Sequence, residues 1–203
     1  MSEPLKACTR LLSEIRACTV CAEYLPDGVR PVVQMHPAAR ILIAGQAPGR
    51  KVHATGVPFD DASGNRLREW MGIDRVEFYD PEKIAILPMG FCFPGTGPSG
   101  DLPPRAECAP LWRARALNQL PNIALTLVIG RYAQLWHLTG DTEKRNLTQA
   151  VQHWRDQLPS TIPLPHPSPR NNIWIKRNPW FEEELIPVLQ QHVAHALKQA
   201  WPY

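Results

Sequence analysis

Arg40-Ile-Leu-Ile-Ala-Gly-Gln-Ala-Pro-Gly49 is the stretch that decides how this chain folds. The apolar run ending at Ala44 is too short for a helix and shows no polar alternation, so it reads as a strand buried on both faces. Gly45 to Gly49 then stop it, because a glycine at either end and a proline between them break the ladder into a shaped turn. Two further runs have the same character: Ile84-Ala-Ile-Leu87, closed by Pro88, and Leu125-Thr-Leu-Val-Ile129, which Gly130 turns into a helix over 131–138. Ile162-Pro-Leu-Pro165 makes a shorter extended segment just before His166.

Helical patterns fill the intervals. Residues 3–16 form an amphipathic helix with Leu5, Leu11, Leu12 and Ile15 near one side. Ser63 can cap a helix that runs to Met71, where Gly72 stops it. Further helices are expected over 105–120 and 145–156. Asn178-Pro179 opens a last one to Lys198, kinked at Pro187, with Glu182, Glu183 and Glu184 placed for the helix dipole. Strands alternating with helices predict a three-layer α/β/α sandwich around a central, mainly parallel sheet of about four strands, one domain over 1–203. Ligands of such sheets bind beyond the carboxyl ends of the strands, where the loops 45–60, 88–104 and 166–177 fall.

The bulk numbers narrow the setting. A net charge of +3 admits an anionic partner without demanding one. Arg50, Lys51, Arg113, Arg115, Arg170, Lys176 and Arg177 are candidates for a phosphate-facing surface, or simply solvated charges. No apolar run approaches the ~20 residues that span a bilayer. The first residues carry acidic groups and lack a signal peptide's apolar core. A cytoplasmic, monomeric protein with no membrane partner is the expectation. In that compartment the five cysteines are metal ligands or free thiols rather than disulfides. The 22 prolines crowd into 81–110 and 158–187, which predicts long, shaped loops there.

Cys18-Thr-Val-Cys21 is a chelating pair, since two intervening residues let both thiolates reach one centre. Cys92 and Cys108 stand 16 positions apart, at either end of a Pro/Gly loop. Four thiolates from two chain regions can hold an iron–sulfur cluster or a zinc ion, and free thiols are the remaining reading. Cys8 is left over as a small buried residue.

Gly45-Gln46-Ala47-Pro48-Gly49, followed by Gly56-Val57-Pro58-Phe59, resembles the first motif of the uracil-DNA glycosylase superfamily, most closely its iron–sulfur branch, where the motif reads GEAPG. The superfamily's second motif, an HPS turn, is matched by His166-Pro167-Ser168. The resemblance implies a 4Fe–4S cluster on Cys18, Cys21, Cys92 and Cys108, and damaged or single-stranded DNA as partner. It also implies base-excision repair: hydrolysis of the N-glycosidic bond of a base swung out of the stack. His166 would stabilise the base as it leaves as an anion. Phe59 would stack on that base, and Gly45, Ala47, Pro48 and Gly49 would let backbone approach it. Ser168 would hold a phosphate, and Arg170 would wedge into the gap.

The chain departs from that pattern at informative places. Gln46 stands where the branch has Glu, and Ala47 where other branches have Asp, so neither expected carboxylate is present. Pro88 replaces the Asn that reads the uracil edge, and proline has neither a side-chain hydrogen bond nor an N–H to offer. His53 replaces an Asp, while Asp60 and Asp61 replace small residues. His53 and Asp60 are therefore expected to join Gln46 in managing water and sugar, with helix capping as the rival role for Asp60 and Asp61. The alternative function is a module that binds a base, nucleotide or lesion without cleaving it.

Overall fold

The computed structural model describes residues 2–98, 100–138 and 146–198. Among them a four-stranded sheet runs in the order β2-β1-β5-β6, every pairing parallel. Its strands are β1 (Ile41–Ala44), β2 (Ile84–Ile86), β5 (Leu125–Ile129) and β6 (Thr161–Leu164). β3 (Thr96–Gly97) and β4 (Gly100–Asp101) form a separate small antiparallel hairpin. The helices are α1 (Glu3–Arg16), α2 (Arg50–Thr55), α3 (Ala62–Met71), α4 (Arg75–Tyr79), α5 (Cys108–Leu117), α6 (Arg131–His137), α7 (Leu147–Gln152), α8 (Asn172–Arg177) and α9 (Ile186–Lys198).

Because successive strand residues point to opposite faces, the sheet divides its apolar side chains between two layers. Ile41, Ile43, Leu125, Leu127, Ile129, Ile162 and Leu164 pack with Leu67, Trp70 and Met71 of α3, Ile175 of α8 and Leu189 and Val193 of α9. Leu42 and Ala85 face the other way, onto Cys8, Leu11 and Ile15 of α1 and Trp112 and Ala116 of α5. Ala44 and Val128 extend that face toward Ala133 of α6 and Ala150 of α7. The three-layer α/β/α sandwich read from the sequence is the observed architecture. All four residues of β1 are buried, as a strand covered on both faces requires.

Where the structure differs, local chemistry gives the reason. α3 is capped by Asp61, whose carboxylate accepts from Gly64 N at 2.9 Å, so Ser63 lies inside the helix. Asn178 and Pro179 do open the last helical run, their carbonyls accepting from Phe181 N and Glu182 N, but the Asn178 side chain makes no cap: it donates to the Trp174 carbonyl and accepts from the Trp180 indole. The irregularity expected at Pro187 sits one turn earlier, as a π-helical turn over Phe181–Leu185, in keeping with a proline that has no N–H for the turn before it. The helix expected over 105–120 starts at Cys108, and that expected over 145–156 is α7 plus a 3₁₀ turn at Trp154–Gln157. Residue 145 lies outside the described residues. α2, α4, α8 and the hairpin are too short for periodicity to reveal and fall in stretches read as loop or left unassigned.

Candidate active site and cysteine cavity

The turn after β1 is laced to the segment after β2. Leu87 N donates to Ile43 O at 3.0 Å, Met89 N to Gly45 O at 2.8 Å and Gly90 N to Gln46 O at 2.9 Å. Parallel pairing thus continues past the strands and fixes Gly45-Gln46 beside Pro88. The turn after β6 is fixed from two sides: Asn171 Nδ2 donates to His166 O at 2.7 Å, and Arg66 of α3 donates to Ser168 O at 3.2 Å. Between these turns, at the carboxyl ends of the strands, opens a cavity of about 460 Å³.

Gly45, Gln46, Ala47, Pro48, Gly49, Phe59, His166, Ser168 and Arg170 all line it, as do Pro88, Asp61, Ser63, Asp101 and Asn171. The two motif turns therefore converge across one cleft. Phe59 forms part of the wall with φ +55°, in the left-handed region that a bulky residue rarely enters. It is kept there by α3: a Cβ on Gly64 would stand 1.8 Å from Phe59 O. Its ring meets Phe78 edge-on, with centroids 6.1 Å apart. Gly45 lies under the same ring, where a Cβ would be 3.7 Å from Phe59 Cζ.

His166 is largely enclosed, and burial pushes its imidazole below the usual histidine range, opposed by the nearby carboxylates of Asp61 and Asp101. The neutral ring carries one N–H, the form that can donate to charge developing on a partner. Gln46 turns its amide to Leu102 O at 3.4 Å. Ser168 accepts from Arg170 N at 3.2 Å and so caps a 3₁₀ turn.

His53 and Asp60 are not among the cavity-lining residues. His53 Nε2 meets Asp27 O at 3.0 Å, its ring tilts against Phe93, and Nδ1 is buried without a hydrogen-bond partner. Asp60 pairs with Arg75 at 3.1 Å. Arg113, a candidate for the phosphate-facing surface, is 1% exposed. It donates to Leu87 O at 3.0 Å and Pro88 O at 3.2 Å and bonds to His137 Nε2. It thereby orients the carbonyl of the cavity's proline inward to the core. Arg115 is paired with Glu14, and Arg50 with Asp27 at 3.3 Å.

The cysteines gather elsewhere. Cys18, Cys21, Cys92 and Cys108 line one small cavity walled by Ile15, Leu25, Phe91, Leu111 and Trp112. Burial raises the Cys92 thiol to about 11 and the Cys108 thiol to about 12. One donor nevertheless points at a sulfur: Phe91 N to Cys108 Sγ at 3.3 Å. Among the described residues, no three His, Cys, Asp or Glu side chains close tightly enough on a point to hold a single metal ion. Cys8 stands apart in the apolar layer over α5, 1% exposed.

Compared with known protein families, residues 33–190 match the model of the uracil DNA glycosylase superfamily. The chain belongs to that superfamily. Membership gives it, in general terms, a DNA-glycosylase-like function in DNA repair, with hydrolase chemistry and DNA as partner. No described helix is long and apolar enough to cross a membrane.

Asp101 and Asn171, which line the cleft, and Gly64, which backs its Phe59 wall, are residues that sequence reasoning missed. A glycine inside an otherwise helical pattern was the available signal for Gly64. Asp101 and Asn171 sit in Pro/Gly- and Asn-rich stretches whose folding no periodicity announces.

Proposed function

We propose that the protein is a DNA glycosylase that hydrolyses the N-glycosidic bond of a flipped-out damaged or deaminated base, on a scaffold of the superfamily's iron–sulfur branch. The observation that carries this is the convergence of the Gln46 and His166 turns on one open cavity with Phe59 in its wall. Phe59 stacks on the extruded base. His166, kept neutral by burial, donates to the base as it departs with the bonding electron pair. Gly45 and Gly49 allow backbone to approach, while at the rim Ser168 meets a flanking phosphate and Arg170 enters the gap left in the stack. Pro88 brings no side-chain donor or acceptor, so the base is selected by shape and stacking together with the polar groups around His166, and uracil need not be the preferred one.

The donor set of the second cavity suits an iron–sulfur cluster. Four thiols spread around apolar walls, one of them accepting from the Phe91 N–H, favour a multi-atom cluster over a zinc ion, whose sulfur ligands close to about 2.3 Å. Cys18, Cys21, Cys92 and Cys108 would hold it. Its contribution is structural: it ties the segment after α1 to the loop before α5. In anaerobically purified protein it gives a brown colour and broad visible absorption.

The test of function is single-turnover excision on oligonucleotides carrying uracil, hypoxanthine, xanthine or a thymine mismatch. Release of one of these bases is the expected result. Intact substrates with a complex still visible by gel shift would make the protein a recognition module instead.

A further inference from the structure

The first motif lacks its carboxylate, and the two side chains best placed by sequence to replace it, His53 and Asp60, lie outside the cleft. Two carboxylates do line the cavity, Asp61 and Asp101. Asp61 is committed to capping α3 through Gly64 N. Asp101 is not so engaged: its only described hydrogen bond is a long 3.5 Å contact from the Thr96 hydroxyl. Its Oδ2 lies 3.4 Å from where a Cβ on Gly49 would stand, so the carboxylate rests directly on the backbone of the motif turn.

The hairpin that carries Asp101 is fastened to both motifs. Gln46 donates to Leu102 O, one residue past Asp101, at 3.4 Å. Leu102 N in turn closes on Gly95 O at 2.9 Å. On the other side the Arg170 guanidinium packs against Gly100, whose φ of +125° and missing Cβ make room for it; a Cβ there would be 2.6 Å from Nη1. The residue that lost the motif's carboxylate thus holds the strand that brings another one in.

Resting on the glycosylase reading above, we infer that Asp101 is the catalytic carboxylate of this site, with Gln46 as its positioning residue. In the reaction the C1′–N bond breaks with its electron pair leaving on the base, which His166 steadies. The Asp101 carboxylate faces the positive charge that develops on the sugar. It accepts a proton from the water whose oxygen bonds to C1′. That proton passes on to solvent, and the base anion takes one from solvent, so the products are the neutral free base and an abasic sugar.

The experiment is single-turnover excision by wild type, D101N and D101E, alongside DNA-binding midpoints and melting curves for the same proteins. D101N is expected to lose about 10²-fold or more in rate, with binding and melting within about threefold and a few degrees of wild type; D101E recovers part of the rate. A D101N rate within about threefold of wild type overturns the assignment, as does a loss fully accounted for by weaker binding. An active wild type with unimpaired D101N defeats this inference alone, whereas a wild type that releases no base defeats the glycosylase reading and this one with it.

Discussion

The two cavities of this molecule are built on opposite principles. The cleft at the carboxyl ends of the strands is roomy and polar, and backbone fixes it: pairing continued past β1 and β2, a capped α3, and glycines where a side chain would collide. The cysteine cavity is small and apolar, and its walls come from separate segments: the end of α1 and the turn after it, the chain near Val29 and Pro31, and the two ends of the 92–108 loop. The first is preorganised by the fold itself; the second, on the cluster reading, is completed by what it binds. Removing a reacting side chain from the cleft should therefore stop chemistry without unfolding, whereas disturbing the backbone that frames it, or the cysteines, should cost stability.

The largest expected effect breaks the backbone side of that contrast. Gly64→Ala puts a Cβ on top of Phe59 O and should cost more than about 4 kcal/mol, read as a collapsed melting midpoint. Replacing Cys18 and Cys21 together by serine should abolish visible absorption and lower the midpoint by about 10 °C, corresponding to about 3–5 kcal/mol at this chain length. If colour and midpoint survive, the cysteine cavity is not the cofactor site. His166→Ala should lower single-turnover excision by about 10²–10³-fold while leaving the melting curve in place. That separates chemistry from stability most directly. Phe59→Ala should weaken binding of a flipped base by about 1–3 kcal/mol, measured by fluorescence of a base analogue.

The smallest effect concerns the Arg113–His137 pair behind Pro88 of the cleft. Burial, and the Arg113 charge beside it, hold His137 down at about 3 in the folded chain, against about 6.5 when unfolded. Below pH 6.5 the unfolded chain takes up a proton that the folded one refuses, so stability falls as pH drops from about 6.5 toward about 3. At pH 5 the loss is about 1–2 kcal/mol. His137→Gln keeps an acceptor for Arg113 and should flatten that slope in melts run from pH 7 to 4.

The sheet, its layers and the two motif turns were legible because each is a contiguous string whose physics is local: an apolar run, a glycine stop, a turn ahead of a helix. The chemistry around them was less so. His53 and Asp60 look equivalent to Asp101 as titratable residues in loops, but short elements decide where each points. α2 turns His53 toward Asp27, Arg75 of α4 takes Asp60, and a two-residue-strand hairpin delivers Asp101. Elements of that size have no period to read. Arg113 failed for a different reason: a cation satisfied by carbonyls and a histidine instead of a carboxylate looks like a surface charge in sequence.

The contact between Gly64 and Phe59 O also bears on how such a cavity could evolve. With α3 seated on the carbonyl of the aromatic residue, that wall tolerates neither a larger residue at 64 nor a shift of the chain at 59. The opposite rim is a short hairpin tethered by the side chains of Gln46 and Arg170. Selection for a different lesion would leave positions 59, 64 and 101 alone and accumulate changes at the exposed end of the hairpin, at 96–98, away from the carboxylate.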